Sequence, residues 1–299
     1  MSEDGRTGGT PRWLVTGARG QLGSDLLRVL AERAGGEQVT GLGRAELDLT
    51  DPVAVDSVLD DLCPDVVFNA AAYTAVDAAE SDEPAAVAGN VTGPANLARA
   101  CAARQALLVH VSTDYVFSGQ ATEPYPTDAP TCPRSAYGRT KLAGERAVRE
   151  LCPRSHVVRT AWVYGQTGGN FVRTMVRLEA ERDTLDVVDD QRGSPTWSRD
   201  LAGGLVALAC SGARPGVYHC TNGGDTTWYG LARAVFEELG ADPSRVRPTT
   251  SDRFVRPAPR PAYSVLSDAA WLAAGLPPMP HWRDALHTAF ATVGQQLRG

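Results

Sequence analysis

The chain has 299 residues, with 29 basic against 35 acidic side chains and a net charge of −6. That length buries a core without cross-links, and that charge excludes a dedicated nucleic-acid surface while leaving room for a local basic pocket. No apolar run approaches the roughly 20 residues that span a bilayer, the opening "MSEDGRTGGTP" lacks the parts of a signal peptide, and the six cysteines include no Cys-x-x-Cys pair or metal-ligand spacing. The expectation is a cytoplasmic protein with reduced thiols and a small-molecule ligand, without a metal, a nucleic-acid partner or a membrane partner.

Residues 1–11 are mostly Gly, Thr, Ser and charge; such a segment has little to bury and is expected to stay outside the fold. "RWLVTGARGQLGSDLLRVLAERAG" then gives an apolar strand, a glycine turn, and Leu22, Leu26, Leu27 and Leu30 at helical spacing. The order recurs with "QVTGLG" as strand, "DPVAVDSVLDDL" as helix, "DVVFNAAA" as strand, "PAAVAGNVTGPANLARACAARQ" as helix and "LLVHVST" as strand. Alternation of this kind predicts an α/β fold, a Rossmann-type doubly wound parallel sheet, because parallel neighbours need crossover connections. Beyond "VVRTAWVYG" the texture changes: two helical stretches, a strand-like "GVYHCTN" and an irregular, proline-rich "PSRVRPTTSDRFVRPAPRPAYS". The expected organisation is a dinucleotide-binding domain over 12–165, joined by parts of 195–222, and a smaller mixed substrate-binding region over 166–299.

"GARGQLG" sets Gly17, Gly20 and Gly23 between the first strand and its helix. Glycines there permit a tight turn, backbone approach to a pyrophosphate and close helix packing, although an ordinary βα turn also fits. At the end of the second strand stand Gly43 and Arg44, where an NAD-preferring site usually has an acid. A guanidinium there favours a 2′-phosphate, and so NADPH with NADH as the alternative; the competing reading makes Arg44 a solvated loop residue.

In "YGRTK", Tyr137 and Lys141 are four apart and share a helix face. A tyrosine with a pKa of about 10 becomes a better acid when an ammonium lies near. "VSTDYVFSG" adds Ser112 and Thr113 at a strand end, the edge where ligands of open sheets bind.

Gly-x-x-Gly-x-x-Gly, then Ser/Thr, then Tyr-x-x-x-Lys resembles the extended short-chain dehydrogenase/reductase superfamily. The stretches "PDVVFNAAAYTAVDAAES", "YGRTKLAGE", "VVDDQRGSPTW" and "RPAYSVL" are similar to the dTDP-4-dehydrorhamnose reductase family within it, with likeness from residue 12 nearly to the end. The resemblance implies reduction of a 4-keto group on a dTDP-6-deoxyhexose. It implies Tyr137 as proton donor, Lys141 as its tuner and ribose ligand, and Thr113 as hydroxyl partner. It further implies Asp114, Tyr115 and Trp162 around the sugar, and Gly20, Gln21, Leu22, Asp48, Leu49, Ala71, Ala72 and Tyr73 around the cofactor. Three readings stay open: Trp162 as core aromatic, Asp48 as a helix N-terminal acid, and Arg192 and Arg260 as diphosphate ligands or surface residues. Other functions in view are a reductase of a related dTDP-4-keto-6-deoxyhexose for an antibiotic sugar, an epimerase, and a non-catalytic regulatory subunit. The expected assembly is a monomer or weak homodimer.

Overall fold

In the computed structural model the described residues are 11–34 and 38–298, so all but the last residue of the expected N-terminal tail lies outside them. Trp13–Thr16 (β1) is buried along its whole length, which an apolar strand achieves with neighbours on both edges and helices on both faces. Its edges pair in parallel with Val39–Leu42 (β2) and Val66–Asn69 (β3). The sheet continues through Leu107–Thr113 (β4), Ser155–Thr160 (β5) and Gly216–His219 (β6), six strands in the order β6-β5-β4-β3-β1-β2.

The crossovers carry Gln21–Ala34 (α1), Pro52–Leu62 (α2), Gly93–Ala103 (α3) and Ala136–Leu151 (α4); Phe171–Glu181 (α5) and Ser198–Cys210 (α6) come between β5 and β6, and Trp228–Glu238 (α7) and Trp282–Arg298 (α8) follow. Alternation along β1 sorts the core. Trp13 and Val15 join Leu26, Leu30, Leu201 and Leu205 of α1 and α6 on one face. Leu14 joins Val55, Leu59, Leu97 and Val148 of α2, α3 and α4 on the other. Strand order reverses between β1 and β3, and that switch point opens a crevice at the carboxyl edge. A further core of Met175, Val176, Leu231, Val235, Phe236 and Leu286 binds α5, α7 and α8 together.

Two stretches differ from their sequence reading. The helix expected across residues 84–105 is broken: Glu83–Val87 is helical, residues 88–92 widen into a π turn, and α3 begins at Gly93. Pro94 lacks an N–H, and the wide turn aims the buried Asn90 side chain at the chain around Tyr73. Within the proline-rich stretch, Val246–Thr249 forms a parallel ladder with Leu185–Val188, anchored by buried Val246. No helix among the described residues is long and apolar enough to cross a membrane.

Candidate active site

The crevice at the switch point is a cleft of about 700 Å³, lined by Gly17, Gly20, Arg44, Asp48, Leu49, Ala71, Ala72 and Tyr73 among others, a size within the usual range for small-molecule sites. Gly17 carries a φ of +69°, and a Cβ on it would stand 2.6 Å from the Ala71 nitrogen. Only glycine meets both demands. Gln21, Leu22 and Gly23 form the first turn of α1 behind that wall: Gln21 accepts from Asn170 at 2.9 Å, Leu22 packs into the core, and Gly23 lies against the Gly17 carbonyl. The loop after β3 is fixed from below. Asn69 accepts from Thr16 Oγ1 at 2.8 Å and from the Ala71 N–H at 3.2 Å, and its amide donates to His110 Nδ1 at 3.0 Å. Burial and the nearby Lys141 hold His110 well below the usual histidine range, so it is a neutral acceptor.

Asp48 lines the cleft, but it does not cap α2. Its carboxylate accepts from the Thr50 N–H and hydroxyl at 2.9 and 2.8 Å, bonds that pull its pKa down, while Asp51 caps α2 through Val53 and Ala54. The helix-acid reading of Asp48 therefore passes to Asp51.

Tyr137 and Lys141 lie in the first half of α4, whose start is held by the Ser135 hydroxyl on Gly138 N–H at 3.1 Å and by Glu80 on Ala136 N–H at 2.8 Å. At Gly144 the helix meets the π turn so closely that a Cβ would run into the Asn90 carbonyl. Asn90 completes the clamp: its amide bonds the Tyr73 carbonyl and Thr140 Oγ1, both at 3.1 Å, and its oxygen accepts the Tyr73 N–H at 2.9 Å. One side chain thus ties the cleft-lining loop to the helix that carries the tyrosine.

Burial pushes the Tyr137 phenol up to about 12, opposed by the Thr113 hydroxyl and helped by the Asp114 charge. This reverses the lowering expected from Lys141. The ammonium is turned to the Val111 carbonyl at 2.7 Å, and its own burial pulls it down to about 8, opposed by Glu145 one turn further on. Glu145 makes a buried two-point ion pair with Arg159 of β5, at 2.9 and 2.8 Å, and Arg159 also donates to the Thr127 carbonyl at 3.1 Å and covers the Phe117 ring.

Thr113 donates to Asp114 Oδ1 at 2.9 Å and accepts the Tyr115 N–H at 3.2 Å; Tyr115 meets Tyr137 edge to face at 5.6 Å. Asp114 is 3% exposed, and its Oδ2 has no hydrogen-bond partner among the described residues. Burial raises its carboxyl from 3.8 to about 6, with the Ser264 and Thr113 hydroxyls pulling part of the way back. The folded state holds this proton where the unfolded chain has lost it, so stability falls as pH rises from 3.8 to about 6. Asp114→Asn is expected to stabilise the protein by up to about 3 kcal/mol at pH 7, an advantage that shrinks toward zero near pH 4; denaturant melts at the two pH values check this.

Trp162 is brought to the other lobe. Its backbone has a φ of +47°, and its indole stacks on Trp228 at 3.5 Å and 6° and lies over Gly193. A bulky residue in the left-handed region costs about 1–3 kcal/mol, and the half-buried ring keeps part of its surface open. Arg192 is paired with Asp225, and Arg260 with Asp77 at 2.9 Å, so neither guanidinium stands free. Sequence reasoning missed Asn69, Asn90, His110, Glu46 and the Glu145–Arg159 pair. A carboxylate four residues past the end of a strand that closes on a ligand edge was the one signal for Glu46. Among the described residues no group of three His, Cys, Asp or Glu could hold a metal ion.

A glycine turn at the switch point of a parallel sheet, with a hydroxyl at the end of β4 and a helical Tyr-x-x-x-Lys after it, defines the class of extended short-chain dehydrogenase/reductases. The profile of the RmlD substrate binding domain matches residues 11–294. A dTDP-4-dehydrorhamnose reductase of Streptomyces griseus is 56% identical over 95% of the chain and 94% of its own length, and a dTDP-4-keto-6-deoxy-D-glucose reductase of Streptomyces niveus is 52% identical over 94% and 97%. The crystal structure of a dTDP-4-dehydrorhamnose reductase of Bacillus anthracis in complex with NADP superposes with a TM-score of 0.90 at 36% identity, covering 95% of this chain and 99% of that one. The chain belongs to the RmlD family, that of the dTDP-4-dehydrorhamnose reductases.

Proposed function

We propose that the protein reduces the 4-keto group of dTDP-4-dehydro-L-rhamnose to give dTDP-L-rhamnose, with NADPH as reductant and NADH as a substitute. The observation that carries this reading is the placement of Tyr137 against Tyr115, whose N–H is held by the Thr113 hydroxyl at the strand edge. The nicotinamide cofactor, when bound, supplies the hydride that the side chains of this chain cannot. Its pyrophosphate end fits the turn Gly17–Gly23 and the small residues Ala71 and Ala72, its adenosine end fits Arg44, Asp48 and Leu49, and Tyr73 closes the wall.

Reduction needs an acid that still carries its proton when charge develops on the C4 oxygen, and a phenol does so at neutral pH. Thr113, on turning its one hydroxyl proton from Asp114 to the carbonyl oxygen, orients it, and Tyr137 donates to it. Lys141, with one donor on Val111 O, has two left for a ribose hydroxyl and for the phenolate that the donation leaves behind. Asp114 and Tyr115 flank the sugar, and Trp162 offers an aromatic face to the apolar side of a 6-deoxyhexose. Residues 12–165 with the strand Gly216–His219 serve the dinucleotide, and 166–299 mainly the sugar nucleotide. The enzyme works in the cytoplasm as a monomer or weak homodimer, without nucleic-acid or membrane partners.

The Streptomyces niveus relative, named for another 4-keto-6-deoxyhexose, favours a second reading in which the substrate is a related sugar of an antibiotic. Loss of NADPH absorbance with each of the two dTDP-4-keto sugars decides between them. A kcat/KM at least about tenfold higher with the rhamnose precursor, or 1.4 kcal/mol in transition-state binding, supports the first reading; the opposite ratio supports the second.

A further inference from the structure

Two guanidiniums, Arg19 and Arg44, line the cleft where β2 ends. Arg19 is already engaged: its Nη2 and Nε meet the Glu46 carboxylate, the Nε at 3.4 Å, while Glu46 Oε2 also accepts the Gly43 N–H at 2.9 Å. Gly43 follows β2 directly, at the place where a dinucleotide-binding strand presents an acid to the adenosine ribose. A Cβ on Gly43 would stand 2.9 Å from Glu46 Oε2 and 3.1 Å from the Arg19 stem. The carboxylate that this strand end lacks in its own side chain is returned to it from Glu46.

We propose that Glu46 sets the choice between a dinucleotide bearing a ribose 2′-phosphate and one bearing a 2′-hydroxyl, by holding Arg19 away from the phosphate and offering its own oxygen to the hydroxyl. The inference rests on the dinucleotide reading of the cleft and deepens it. The charges here balance: Arg19 and Arg44 against Glu46 and Asp48, with Asp48 committed to Thr50. The latch is easily exchanged, because Arg19 is 76% and Glu46 33% exposed and exposed ion pairs are weak and screened. A 2′-phosphate with close to two negative charges takes Arg19 from the single charge of Glu46, whereas a 2′-hydroxyl leaves the pair closed and donates to it. Each dinucleotide therefore has a receiving group, and the penalty that Glu46 imposes falls on the phosphate alone.

Calorimetric titration of NADP+ and NAD+ into the full-length protein tests this without turnover. In Glu46→Gln the Kd for NADP+ is expected to fall about tenfold, the worth of one like charge a few ångströms away in partly aqueous surroundings, with the NAD+ Kd unchanged or raised. In Arg19→Gln the NADP+ Kd is expected to rise about fivefold by the same reasoning, with the NAD+ Kd held. A ratio of the two Kd values that Glu46→Gln leaves within twofold of wild type overturns the role of Glu46 while the dinucleotide reading stands. Failure of wild type to bind either nucleotide overturns both.

Discussion

Tyr137→Phe should lower kcat by about 10²–10⁴, the usual worth of a positioned proton donor, while the protein still folds and binds NADP+. The phenol ring packs edge-on against Tyr115, a contact that phenylalanine keeps, and only the hydroxyl is removed. The loss should sit in kcat, because proton donation is an interaction made in the transition state. Because burial places the acid at about 12, the alkaline fall of the wild-type rate should not come from Tyr137 below pH 10. A rate profile across pH 6–10 for both proteins, with NADP+ affinity measured alongside, is the check. A variant retaining more than a tenth of wild-type kcat would remove Tyr137 from the acid's role.

Lys141→Met should separate stability from activity. The ammonium is 2% exposed, and burial drops its pKa from 10.5 to about 8, so the folded state gives up a proton that the unfolded chain keeps. Stability on this account rises with pH between about 8 and 10.5, and the full cost of the buried charge is present at pH 7. Replacing it by an apolar side chain of similar length should stabilise the protein by about 1–3 kcal/mol at pH 7, less above pH 8. The same variant should lose about 10²-fold or more in kcat/KM, since the ribose ligand and the charge that receives the phenolate are both gone. Denaturant melts and steady-state rates on one preparation test both signs, and a variant both less stable and fully active would contradict the placement of Lys141.

The architecture was legible because strands buried on both faces are nearly continuous apolar runs, and amphipathic helices between them leave few topologies for the chain. "GARGQLG" and "YGRTK" stood out as local spacings, three glycines at a βα turn and two side chains on one helix face, while the contacts that fix them, Gly17 on Ala71 and Lys141 on Val111, are distant in sequence. What could not be read depends on groups distant in sequence. The π turn exists because Asn90 reaches both Tyr73 and Thr140; the stack of Trp162 on Trp228 joins two segments whose approach only the folded chain defines. The direction of the Tyr137 shift failed for the same reason. Helical spacing puts Lys141 on the right face, but the Val111 carbonyl claims its ammonium, and the phenol is left to feel burial first. Arg44 was read without Glu46, whose fold back onto Gly43 changes the charge at this end of the cleft.

The most direct test of the central claim is the fate of the hydride. The protein should be given dTDP-4-dehydro-L-rhamnose and NADPH carrying deuterium at both positions of nicotinamide C4, and the product examined by mass spectrometry and proton NMR. Direct reduction requires one deuterium per product molecule, bound at sugar C4, with one NADPH consumed for each. Product formed without deuterium and without net NADPH oxidation would contradict it and identify an epimerase that returns its hydride; tight cofactor binding with no product would identify a subunit that uses the fold without the chemistry.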